Sequence, residues 1–114
     1  MIRKFLAVET ALFLLASLVH RGYFLGGYEH GKAAIAETVI GVVLLAGLLA
    51  TLAWPARARG IGIGVQAFAL LGTFVGLFMI AVGVGPQSQA DLVFHVLLVL
   101  LLGAGLLAAA RTSA

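Results

Sequence analysis

The sequence predicts an all-α integral membrane protein, an up-and-down bundle of four transmembrane helices with both termini on the cytoplasmic side. Three observations lead there. Four long apolar runs fill almost the whole chain, and residues that favour turns stand at the three places where the runs break. The 114 residues are 63% hydrophobic and 10% charged, with a mean hydropathy of +1.21, against roughly 45–50% and about 25% in a soluble domain. A water-soluble fold of this size has no interior large enough to hide that much apolar surface.

The first run covers about residues 5–25, the second 32–54, the third 61–84 and the fourth 90–110. Each meets the ~20 residues that a helix needs to cross a hydrocarbon core of about 30 Å. The first begins after Arg3-Lys4, as a signal peptide does, but no clean small-residue cleavage pattern follows, and it is read as a retained first helix. Gly26-Gly27-Tyr28-Glu29-His30-Gly31 separates the first two runs, Pro55-Ala56-Arg57-Ala58-Arg59-Gly60 the second and third, and Gly85-Pro86-Gln87-Ser88-Gln89 the last two. Linkers this short make successive helices antiparallel neighbours, so residues 1–114 form a single domain. Arg3, Lys4, Arg57, Arg59 and Arg111 fall at the end that holds the termini, against Arg21 and Lys32 at the other. By the positive-inside rule the termini are cytoplasmic, and a bacterial inner membrane is the expected location. Trp54 and Tyr28 fall at the predicted interfaces, where an apolar ring with a polar tip is at ease.

Several function classes drop out. Cysteine is absent, which excludes disulfides and thiolate metal sites. A formal charge of +3 comes from basic residues at run ends, which fit topology signals and lipid headgroups; no basic stripe with interleaved aromatics points to nucleic acid. Gly60-Ile61-Gly62-Ile63-Gly64 lacks the Lys-Ser/Thr ending of a phosphate loop and follows no strand. Ser17 has His20 one turn away but no nucleophile elbow, and no catalytic residue is assigned.

What interrupts the runs is more informative. An ionisable side chain at membrane depth is costly and marks a functional site by default. Helical spacing puts Glu9, Phe13, Ala16 and His20 on one stripe of the first helix, His30, Ala33, Glu37 and Gly41 on one of the second, Gln66, Ala69, Thr73 and Gly76 on one of the third, and Asp91, His95 and Leu102 on one of the fourth. Four polar stripes converge on the bundle axis. Rise per residue then sorts them by depth. His20, Glu37 and His95 form an outer cluster, with Asp91, His30 and Arg21 above it. Glu9 at the cytoplasmic side, Glu37 and His95 at the other, and Gln66 and Thr73 between them outline a discontinuous polar lane, with Glu9 close enough to the boundary for its carboxylate to snorkel to water.

Two imidazoles and a carboxylate suit a divalent metal such as zinc, copper or iron, and two histidines on facing helices suit the axial ligation of a b-type haem. The expected function is therefore that of a small membrane protein with a buried His/Glu site for a metal or haem. One alternative is a hydrogen-bonded network serving only helix register in an accessory subunit of a larger complex. Another is proton-coupled transport, since a carboxylate in lipid can exchange a proton in step with a substrate. Chain length, four spans and a first-helix glutamate, Glu9, resemble the small multidrug resistance transporters, and the resemblance implies that Glu9 carries the proton; no further motif of that family is present. Gly60 and Gly64, then Gly72 and Gly76, form two GxxxG spacings, and Gly103 to Ala110 is rich in small residues. These predict close helix packing within the bundle, or contact with a second copy or a larger membrane complex through the third and fourth helices. Gly47-Leu48-Leu49-Ala50 recurs as Gly105-Leu106-Leu107-Ala108, and the same offset sets Glu37 over His95, a faint internal repeat.

Overall fold

A computed structural model describes residues 1–112. Four helices make up the described chain, with no strand: α1 (Ile2–His20), α2 (Gly31–Ala53), α3 (Ala58–Ala81) and α4 (Gln89–Arg111). A single 3-10 turn over Pro55–Arg57 leads into α3. Three stretches, Gly31–Ala53, Pro55–Ala81 and Gln89–Arg111, are long and apolar enough to cross a membrane. α1 is not among them, because its 19 residues include Arg3, Lys4 and Glu9.

The ends of the helices differ from expectation where backbone geometry intervenes. α1 stops at His20, short of Leu25, because Gly22 turns the chain at φ +98° and Phe24 follows at φ +68°, a left-handed conformation that costs a non-glycine residue roughly 1–2 kcal/mol. The His30 amide donates to the His20 carbonyl at 2.8 Å and ties the loop back onto the helix end. α3 begins at Ala58 rather than Ile61 because Pro55, pre-set in φ, opens the turn that feeds it. It ends at Ala81, before Gly83 and Gly85 take φ +86° and +82°.

α1 packs most closely on α2, and α3 on α4, with α2 against α3 and α1 against α4 closing the bundle. Its extents are 43 × 22 × 17 Å. Leu6, Phe13, Leu44, Ala69, Leu98 and Leu102 form the core. Polar residues share that interior, with Glu9, Thr51, Gln66, Thr73, Glu37 and Asp91 all buried, while Leu71, Phe78, Leu100, Leu49 and Trp54 face outward. Apolar outside and polar inside is the distribution that a lipid surround favours.

The glycines that pack are only partly those of the GxxxG spacings. Around Gly60 and Gly64 there is open space, whereas a Cβ at Gly72 would meet Ile40 and one at Gly76 would lie 3.3 Å from the His95 ring. Further close approaches lie outside those spacings, at Gly41 against Leu14, Gly47 against Val65, Gly62 against Ile2 and Gly105 against Gln66. Gly62 stands four residues before Gln66, on the inward stripe of α3; Gly60 and Gly64 do not share that stripe.

Candidate functional site

His20 is the last residue of α1, and Glu37 lies two turns inside α2. Antiparallel packing brings them to one level, with His20 Nδ1 2.5 Å from Glu37 Oε1 and both side chains nearly inaccessible. The helix C-terminus adds its partial negative charge beside the imidazole. On the other side of the ring, Nε2 faces Asp91 Oδ1 at 3.8 Å, too far for a hydrogen bond. Ser88 fixes Asp91 by accepting its backbone N–H at 3.1 Å as the cap of α4. The result is one imidazole set between two carboxylates from two different helices.

His95 reaches this group through Asp91 rather than through His20 or Glu37. Its Nδ1 donates to the Asp91 backbone carbonyl at 2.8 Å and lies 3.5 Å from Asp91 Oδ1. That bond leaves Nε2 as the free acceptor, packed over Gly76. His30 stands edge-on to His20 with ring centroids 6.3 Å apart, and its Nδ1 accepts the Ala33 N–H at 3.3 Å, capping α2. Arg21 turns away to the surface and donates to Thr38 Oγ1 at 3.0 Å.

Two cavities flank the His20–Asp91 pair. One, of about 250 Å³, lies among α2, α3 and α4 and takes its polar wall from His20, Glu37, Asp91, His95 and Thr73, with Lys32 at its rim. The remaining wall is mostly aliphatic, including Ile40, Met79 and Leu98, and Phe13 bounds it. The other, of about 200 Å³, lies beside α1 and its loop, where Leu25, Tyr28 and Phe94 meet His20 and Asp91. These two residues line both spaces. Sequence spacing contained the members of the cluster but not this partition, which depends on the rotation of α4 and the early end of α1.

Among the described residues no group of three or more His, Asp and Glu side chains is disposed to hold a metal ion. His20 presents Nδ1 to Glu37 and Nε2 to Asp91, and His95 uses Nδ1 on a backbone carbonyl.

The deeper polar residues form a second level. Glu9 and Gln66 are fully buried, so Glu9 does not snorkel to water. Gln66 Nε2 donates to the Gly62 carbonyl at 3.0 Å, and Thr73 Oγ1 donates to the Ala69 carbonyl at 2.8 Å. Thr73 opens on the larger cavity, while Phe13, Ala69 and Leu102, all buried, occupy the interior near it. The polar lane is thus two sites with an apolar stretch between them. Comparison with protein-family models, curated proteins and solved structures gives no match for the chain.

Proposed function

We propose that the larger cavity binds a small, mostly apolar amine and exchanges a proton with it through His20, as a proton-coupled carrier in a four-span bundle does. The observation that carries this reading is His20 held between Glu37 and Asp91 at the polar end of an otherwise aliphatic cavity. Two carboxylates and Lys32 bring one net negative charge before any histidine is protonated, which favours a cationic end on the ligand. Aliphatic walls take its apolar body. A bound ammonium gives its proton to His20 Nε2, and the imidazolium passes its Nδ1 proton to Glu37; the amine leaves neutral, and the proton stays with the protein. Since His20 and Asp91 also border the second cavity, moving this pair would join the two spaces.

In this reading α1 is the fourth span. Its support is that α1 lies alongside α2 over its length, with Arg3 donating to the Thr51 carbonyl at 2.8 Å near the far end of α2. The basic excess at that end supports cytoplasmic termini, and a bacterial inner membrane agrees with it.

Calorimetric titration of the detergent-purified protein with a series of lipophilic amines and their uncharged isosteres tests the reading. Saturable binding of the amines alone is expected, weakened at least tenfold in Glu37→Gln and Asp91→Asn, with proton exchange that follows buffer ionisation enthalpy. No binding would leave the accessory-subunit alternative. A Soret band or stoichiometric metal lost in His20→Ala would restore the cofactor alternative.

A further inference from the structure

We infer that Glu9 and Gln66 form a separate proton-binding site, in which Glu9 is held as the carboxylic acid and donates to Gln66 Oε1. Both residues are 0% exposed, and Glu9 Oε1, Glu9 Oε2 and Gln66 Oε1 have no hydrogen-bond partner. The amide orientation is fixed, because Gln66 Nε2 is committed to the Gly62 carbonyl at 3.0 Å, which leaves Oε1 as a pure acceptor.

Gly105 brings the two groups together. A Cβ there would lie 2.9 Å from Glu9 Oε2 and would strike Gln66 Oε1, so both oxygens reach over one stretch of α4 backbone that carries no side chain. Neighbouring donors and cations are turned elsewhere. Thr10 Oγ1 donates to the Leu6 carbonyl. Of the charged residues at this end of the bundle, Arg3 of α1 is held by Thr51, Arg59 of α3 donates to the Ala110 carbonyl, and Lys4, Arg57 and Arg111 are exposed. Three acceptors face one another with no donor and no cation, an arrangement that a bare carboxylate makes worse and a single proton resolves. That proton turns one acceptor into a donor and satisfies Gln66 Oε1 in the same bond.

Neither Glu9 nor Gln66 lines the amine cavity. Glu9 lies eleven residues before His20 in α1, about 16 Å along the axis.

Infrared spectroscopy of the full chain in detergent near neutral pH reads the acid directly. A carboxylic-acid carbonyl band is expected that shifts in deuterated water, disappears in Glu9→Gln, and persists in Glu37→Gln and Asp91→Asn. Gln66→Leu should move it to higher frequency by removing its acceptor. Glu9→Gln can still donate an amide N–H to Gln66, so circular dichroism of that variant should match the parent. Absence of any band that Glu9→Gln removes would overturn the assignment. So would replacement of the band by a carboxylate band when sodium is added at constant pH, since the three oxygens would then hold a hard cation instead. Amine binding in Glu9→Gln separates the two sites: its survival is expected, and its loss would show that Glu9 belongs to the cavity.

Discussion

A buried polar atom or a missing methyl decides more in this interior than the nature of any apolar side chain. Gly47 shows the scale of the effect: a Cβ there would sit 2.8 Å from both γ-methyls of Val65 and 3.2 Å from its Cβ. Val65 is branched at Cβ and stiff in χ1, so it cannot swing both methyls clear. Gly47→Ala should therefore destabilise the bundle by about 1–3 kcal/mol, as overpacking does. Gly64→Ala, with open space around the new methyl, should be neutral or stabilising by up to about 1 kcal/mol through helix propensity. Unfolding of the two variants by denaturing detergent, followed by circular dichroism, checks both signs. An equal loss in the two would mean that the open face of α3 at Gly60 and Gly64 packs against a second copy. His20 and Glu37 were legible in the sequence, since 1.5 Å per residue puts them at one depth. That Asp91, one turn before His95, faces the His20 ring was not, because it rests on a helix rotation that a stripe of three residues leaves open. The burial of Glu9 is not legible for the same kind of reason: depth near a boundary says nothing about which way a side chain turns.

Helices begin and end here where caps and left-handed residues direct, and hydropathy is blind to both. α2 starts on His30, whose Nδ1 accepts the Ala33 N–H at 3.3 Å. Removing that acceptor leaves an orphan donor at the helix start. His30→Ala should cost about 0.5–2 kcal/mol in the same unfolding measurement, and His30→Asn, a good cap, should recover most of it. Recovery by Asn but not by Phe would assign the loss to the cap rather than to the 6.3 Å contact with the His20 ring. Apolar run lengths alone carried α1 to Leu25; Gly22 and Phe24 at positive φ stop it at His20, and only that early stop lets an imidazole stand at a helix end between two carboxylates. The Gly26-Gly27 pair was a visible turn signal. Phe24 in a left-handed conformation was not, since nothing in its residue type announces it.

At the scale of the molecule, outward leucines and phenylalanines around a polar interior make a bundle that suits lipid, and topology becomes the question that distinguishes its possible roles. Three stretches are long and apolar enough to cross, so the side reached by the α1–α2 loop is fixed by α2, and only the N-terminus reports whether α1 crosses as well. The chain has no cysteine, which permits single-cysteine variants without background. Ala56→Cys, Gln87→Cys, Tyr23→Cys and a cysteine at Lys4, which is exposed where Ile2 is buried, would be treated in intact cells with an impermeant maleimide. Four spans with cytoplasmic termini expose positions 23 and 87 and protect 4 and 56. If α1 lay along the surface instead, position 4 would label together with 23. The charges argue for the first pattern: Arg3, Arg57, Arg59 and Arg111 gather at one end, and each arginine forced to translocate would cost several kcal/mol against the positive-inside bias. A crossing α1 is also what the carrier reading demands, because His20 then ends a span next to the smaller cavity and Glu9 lies within the bundle on the opposite side of the Phe13 layer. Labelling at position 4 would remove that alternation of polar, apolar and polar levels across the membrane, and with it the physical basis for moving a proton from one side to the other.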